Sequence, residues 1–211
     1  MTMPDILINT ENIFLNRGIC ELLSEIAKEE HIREPYSVVD CSTDILDPID
    51  MLFTEMAAGE HYLCHPFFKK LPPHTSIFIF VATDSALQVE QLPLCLGDAT
   101  FISMNSDLRR VKNQIAKRLT ESTTSSCGGL EKDSRRCVKC PRLTLTKSQL
   151  YIINAIRTGM NNQQIAQKLG ISHKTIFSHK INIMKKFQIA TKQELTRFSS
   201  VALALSAGRI G

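Results

Sequence analysis

The sequence predicts two domains: an α/β domain built on a doubly wound parallel sheet, then an all-α domain. Three observations carry this expectation. Through residues 1–121, short apolar runs alternate with amphipathic stretches of helix length, the order that gives a parallel sheet with helices on both faces. Between Leu145 and Ala190, three short helical patterns follow one another across tight breaks. Charge divides in the same place: residues 1–121 hold 10 basic and 18 acidic residues, net −8, whereas 122–211 hold 15 basic and 3 acidic, net +12. At 211 residues and 43% hydrophobic content, the chain can fill two ordinary cores.

The first domain, residues 1–121, opens with an apolar strand at Asp5 to Asn9. Ile13 to Ala27 follows as a helix, with Ile13, Leu15, Ile19, Leu22, Leu23 and Ile26 on its apolar side. Further strands are expected at Ser37 to Val39, Met51 to Thr54, Ser76 to Val81 and Thr100 to Ser103. Ser106 then caps a helix carrying Leu108, Val111, Ile115 and Leu119. Within Cys41 to Pro48 and Glu60 to Pro73 the pattern is weakest and does not place a helix. His61, Cys64 and His65 have the i, i+3, i+4 spacing of one helical face, which admits a metal-binding reading. Pro66 follows at once and Glu60 is the one adjacent carboxylate, which favours an ordinary loop.

Residues 122–141 are expected to form a flexible linker rich in Ser, Thr, Gly and charge, whose basic end, Arg135, Arg136 and Lys139, runs on into Arg142 of the next domain. Cys127 and the pair Cys137-x-x-Cys140 invite a zinc or redox reading, but a structural zinc site needs four ligands and no second pair follows. Seven scattered cysteines suit free thiols in a reducing cytoplasm. Asp5 and a very short apolar run argue against a secretory leader, and the strongest apolar run, Ile77 to Ala82, falls far short of the roughly 20 residues a membrane helix requires.

The last domain, residues 142–211, is helical. Thr146 with Gln149, and Asn161 with Gln164, have the spacing of capping boxes. Ile152, Ile153 and Ile156 form the first apolar stripe before Gly159; Ile165, Ala166 and Leu169 form the second before Gly170. Ser172 caps a third helix after a three-residue turn containing glycine, which is the connection of a helix-turn-helix. On this third helix Ile176, Ile183 and Phe187 point one way, and Lys174, Ser178, Asn182 and Lys185 the other, with Phe177 and Ile181 on their flank. An apolar seam on one side leaves the opposite side free to enter a major groove of DNA. Thr191 and Glu194 begin a fourth helix whose stripe is Leu195, Phe198, Val201, Ala202 and Leu205. There is no phosphate loop, nucleophile motif or carboxylate pair with a supporting base, so no enzyme, cofactor or metal is expected.

The sequence N-x-x-I-A-x-x-L-x-I-S-x-K-T-I-x-x-H, with the preceding L-T-x-x-Q and the trailing N-I-x-x-K-F, resembles the LuxR/FixJ-type C-terminal domain over about 60 residues. That resemblance implies a four-helix domain that binds double-stranded DNA and dimerises through its last helix. By position it implies phosphate contacts from Lys174 and Thr175, and base-reading positions at Phe177, Ser178 and Ile181. Asn162, His179, Lys180, Lys185 and Lys186 complete the expected interface. Basic residues often stand in the family where this chain has Phe177 and Ile181. The string T-I-F-S-H-K resembles the enterobacterial RcsA and BglJ branch, which implies a homodimer or an auxiliary subunit paired with an RcsB-type regulator. An alternative class is a protein-interaction module that sequesters another LuxR-type regulator and reads little DNA itself.

The stretch I-L-I-N-T-E-N-I-F-L-N-R-G-I-C-E-L-L resembles the receiver domain of response regulators. In that register the acidic pair falls on Thr10 and Glu11, the phosphoacceptor on Glu55, the conserved hydroxyl near Val81 and the lysine near Met104. Mg²⁺ wants clustered oxygen ligands in octahedral geometry. Thr10 weakens that set, Glu55 is one methylene longer than an aspartate, and Met104 brings no charge. The expectation is a receiver-like domain with a degenerate phosphoacceptor pocket, working without phosphorylation at the usual place.

Overall fold

The computed structural model describes residues 5–29, 37–39, 49–82, 87–124 and 139–207. By compactness the chain divides into two units. One gathers Met1–Glu55, Phe67–Asp84 and Asp98–Arg136; the other gathers Met56–Pro66, Ser85–Gly97 and Cys137–Gly211.

The first unit is a five-stranded sheet in the order β2-β1-β3-β4-β5, formed by β1 (Asp5–Asn9), β2 (Ser37–Val39), β3 (Met51–Met56), β4 (Ser76–Val81) and β5 (Thr100–Ser103). The pairs β1·β2, β1·β3 and β4·β5 are parallel. This is the flavodoxin-like order, whose direction reverses at β1 and β3 and opens a crevice beyond their carboxyl ends. Ile6, Ile8, Met51, Phe53, Phe78, Phe80 and Ile102 pack with Ile19, Leu22, Leu23 and Ile26 of α1 (Ile13–Glu29) and Val111, Ile115 and Leu119 of α3 (Leu108–Thr124). The Phe53 and Phe78 rings stack at 4.9 Å. Leu7, Leu52 and Ile79, which alternate with these residues, are just as buried, so both faces of the sheet are covered.

Several bounds differ from expectation. Asn12 caps α1, its Oδ1 accepting from Phe14 N at 3.1 Å and Leu15 N at 3.2 Å; the helix runs to Glu29, where Lys112 of α3 pairs with Glu29 at 2.6 Å and Glu25 at 3.3 Å. Asp107, not Ser106, caps α3 by accepting from Arg109 N. α3 continues to Thr124, into the expected linker, because no Gly or Pro interrupts it before Gly128. The stretch Glu60 to Pro73 holds a 3-10 turn at Glu60–Tyr62 and a short α2 (Pro66–Lys70) started by proline. The linker positions Cys127, Arg135, Arg136 and Cys137, and the stretch Cys41 to Pro48, lie outside the described residues.

The second unit holds α4 (Lys147–Arg157), α5 (Asn162–Leu169), α6 (His173–Lys186) and α7 (Lys192–Ala207). Its core comprises Ile152, Ile153, Ala155, Ile165, Ile176, Ile183, Phe187, Leu195, Phe198 and Ala202. Segments 56–66 and 85–97, which element order alone assigns to the first domain, group here instead. The reason is Tyr62, fully buried, whose hydroxyl bonds to Gln188 Oε1 and accepts from Gln88 N at 3.0 Å, and whose carbonyl accepts from Leu143 N at 3.0 Å. No helix among the described residues is long and apolar enough to cross a membrane.

Candidate nucleic-acid interface

Local chemistry sets each helix of the second unit. Thr146 and Asn161 close full capping boxes with Gln149 and Gln164, which satisfy backbone donors that a helix start leaves open. Gly170 adopts φ 65 at the end of α5, a left-handed conformation that glycine takes without a Cβ clash. Two residues later Ser172 Oγ accepts from Thr175 N at 3.1 Å and starts α6. The turn is short because both of its ends are built from capping residues.

Ile176, Ile183 and Phe187 are fully buried, and the Phe187 ring meets Phe198 of α7 at a 4.7 Å centroid distance. This seam turns the opposite side of α6 outward. Lys174, Thr175, Phe177, Ser178, Asn182 and Lys185 are exposed there, and Ile181 is half-buried. Phe177 keeps 53% of its surface open. Thr175 Oγ1 lies 2.8 Å from Ser172 Oγ, and Ser178 Oγ donates to Lys174 O at 3.1 Å.

Two lysines of the expected interface are engaged within the unit. Lys180 Nζ donates to Asn162 Oδ1, joining two expected interface residues and locking α6 to the start of α5. Burial, and then nearby Lys192, push the Lys180 pKa below its usual value. Lys186 Nζ donates to Thr144 O at 2.7 Å and sits 5.8 Å from the Phe187 ring centroid. His179 is half-buried. The stripe of α7 is also divided: Leu195, Phe198 and Ala202 are buried, while Val201 and Leu205 are half-buried.

Sequence reading missed the far end of α6. Gln188 takes φ 54, a left-handed conformation unusual for a residue other than glycine, and its side chain bonds to Tyr62. Gly59 (φ 81) lies against Phe187, so close that an added Cβ would stand 2.8 Å from Phe187 O.

At the crevice of the sheet, Thr10 Oγ1 donates to Glu55 Oε1 at 2.8 Å and accepts from Asn12 N at 3.1 Å. Glu11 is exposed. Met104, also exposed, follows β5, its N donating to Val81 O at 2.9 Å. All five positions of the expected pocket therefore lie at the carboxyl ends of strands or just beyond them, with a hydroxyl–carboxylate bond spanning β1 and β3. His61, Cys64 and His65 do not share a helix: His61 belongs to the 3-10 turn, and His65 Nε2 lies 3.5 Å from Glu60 Oε1. Among the described residues no three His, Cys, Asp or Glu side chains group to hold a metal.

Residues 143–199 match the family described as bacterial regulatory proteins, luxR family. The chain is 29% identical over 102 residues to the oxygen regulatory protein NreC of Staphylococcus carnosus, covering 48% of this chain and 47% of that protein. It is 23% identical over 159 residues to the fimbriae Z protein of Salmonella typhimurium, covering 72% and 74%. The chain spans about half the length of NreC. A solved structure of two RcsB dimers bound to two parallel DNAs superposes with a TM-score of 0.51 at 19% identity, over 95% of this chain and 99% of that one. By this match, residues 143–199 are a LuxR-type helix-turn-helix domain, and the α/β domain before it shares its fold with the RcsB structure.

Proposed function

We propose that the chain is a sequence-specific DNA-binding transcription regulator of bacterial gene expression that acts in the cytoplasm, with α6 lying in the major groove. The observation that carries this is the two-sided character of α6: a fully buried apolar seam opposite an exposed face with Lys174 and Lys185 near its two ends. At 1.5 Å rise per residue these lysines stand roughly 16 Å apart along the helix, enough to reach backbones on both sides of a groove about 12 Å wide. The net +12 of residues 122–211 suits the same partner.

Regulation is independent of phosphorylation at the usual site. The Thr10–Glu55 hydrogen bond supports this, because it engages the carboxylate that replaces the phosphoacceptor with a neutral group where metal-binding acids would stand. The regulator works as a homodimer or together with an RcsB-type partner, a reading supported by the T-I-F-S-H-K string. The sequestering alternative draws on exposed Phe177, an apolar side chain that would also suit a protein surface.

Binding of the full chain to labelled genomic fragments across a salt series, with and without an RcsB-type protein, tests the proposal. For ~4 to 6 phosphate contacts per protomer, affinity falls steeply with salt. Selection by the chain alone marks a self-sufficient reader, and selection only with the partner marks an auxiliary subunit. Binding that is neither salt-dependent nor fragment-selective in both conditions leaves the sequestering module.

A further inference from the structure

We infer that α6 reads half-sites rich in A·T pairs, with Phe177 and Ile181 contacting thymine methyl groups and Asn182 contacting an adenine edge. This rests on the DNA-binding reading and names what that face recognises.

The outward face of α6 is split along its length. Phe177 and Ile181, one turn apart, form an apolar ridge; Ser178 and Asn182, also one turn apart, form a hydroxyl and amide ridge beside it. The rest of the helix decides what such a surface can distinguish. Guanine is read by Arg or Lys, and cytosine by Asp or Glu. α6 has the sequence HKTIFSHKINIMKK, with no Arg, Asp or Glu. Of its lysines, Lys174 and Lys185 stand near the ends, while Lys180 and Lys186 donate to Asn162 and to Thr144 O. Apart from Ser178, the centre of the face therefore has none of the side chains that single out a base of a G·C pair. It does have partners for both bases of an A·T pair: an apolar ridge for the thymine C5-methyl and an amide for adenine N6 and N7. Serine bonds to either kind of pair and adds no preference. Duplex DNA, and not an apolar protein surface, is the occupant because lysines flank the ridges and no carboxylate lies on the helix.

The test uses the full chain and a pool of random-sequence duplexes. Enriched duplexes are resynthesised with uracil for thymine, which deletes the methyl and keeps the pairing, and separately with 7-deazaadenine for adenine, which deletes N7. Each contacted methyl removed is expected to weaken binding about fourfold. Phe177→Ala and Ile181→Ala bring the thymine-to-uracil ratio towards one while leaving the salt slope unchanged, and Asn182→Ala does the same for the deaza-adenine ratio. Phe177 and Asn182 are exposed, so their variants are expected to fold, which circular dichroism checks. Salt-dependent binding that is equal for thymine and uracil duplexes overturns the inference and leaves the DNA-binding reading standing. An absence of salt-dependent binding to the pool overturns both.

Discussion

Replacing Gly59 by alanine tests whether segment 56–66 is built into the helical unit. The backbone there has φ +81, and an ideal Cβ would stand 2.8 Å from Phe187 O, 2.9 Å from Phe187 Cβ and 3.2 Å from Ile189 Cγ1. Forcing an L-residue into the left-handed region costs roughly 1–2 kcal/mol, and overpacking against atoms that cannot retreat adds about 1–3 kcal/mol. Phe187 is such a neighbour, since it caps α6 and its ring is fully buried against Phe198. Gly59→Ala is therefore expected to destabilise by about 2–5 kcal/mol. Gly18, within α1, is the internal control: nothing lies within 4 Å of its added Cβ, and glycine in a helix costs roughly 0.5–1 kcal/mol against alanine. The same chemical change should thus stabilise at one site and destabilise at the other. Denaturant unfolding of both variants, followed by circular dichroism and tyrosine fluorescence, gives the two signs. A Gly59→Ala variant within about 0.5 kcal/mol of the parent would refute the packing of Gly59 on Phe187.

Ile176→Ala empties a fully buried position in the seam of α6 and should cost about 2–5 kcal/mol in the same unfolding assay; a loss under about 1 kcal/mol would place Ile176 outside the core. Burial lowers the His61 pKa from 6.5 to about 4. Between those two values the unfolded chain takes up a proton that the folded chain excludes, so this contribution is complete above pH 6.5 and is lost as pH falls towards 4, up to about 3 kcal/mol. Unfolding of the parent and of His61→Gln at a series of pH values isolates it, and parallel curves would contradict it. Incubation with acetyl phosphate and Mg²⁺ should leave the intact mass unchanged, because Glu55 is bonded to Thr10; a phosphoryl adduct at the carboxyl edge of the sheet would show that the pocket still reacts.

What was legible in the sequence was local. Strands β1, β2, β4 and β5 carry apolar or β-branched runs bounded by polar residues, and their limits follow from that pattern. Capping boxes at Thr146 and Asn161 are signals read from two residues three positions apart, and both form. The outward face of α6 follows from angular position. α2 was not legible, because five residues make too few turns for a period to show. Nor was the grouping of residues 56–66 with the helical unit, since Tyr62 and Gln188 are 126 positions apart and neither side chain announces the other. The inward lysines fall between these cases. Lys180 is four residues after Ile176 and three before Ile183, so its angular position lies near the seam, although its charge favours solvent.

That placement makes the lysines of α6 unequal, and the inequality can be measured. Lys174 is exposed, so Lys174→Ala should leave stability within about 0.5 kcal/mol and flatten the log-log salt dependence of DNA binding by roughly one unit. Lys180 donates to Asn162 and is held below its usual pKa, chiefly by burial. Its removal leaves the Asn162 side chain without that donor, at a cost of about 0.5–1.5 kcal/mol. Lys180→Ala should therefore lower stability and affinity together, because α6 loses its tie to α5, while the salt slope stays close to that of the parent. If Lys180→Ala instead flattened the slope by a full unit with no loss of stability, its ammonium would be a phosphate contact, and the Asn162 bond would be incidental to how the helix is held.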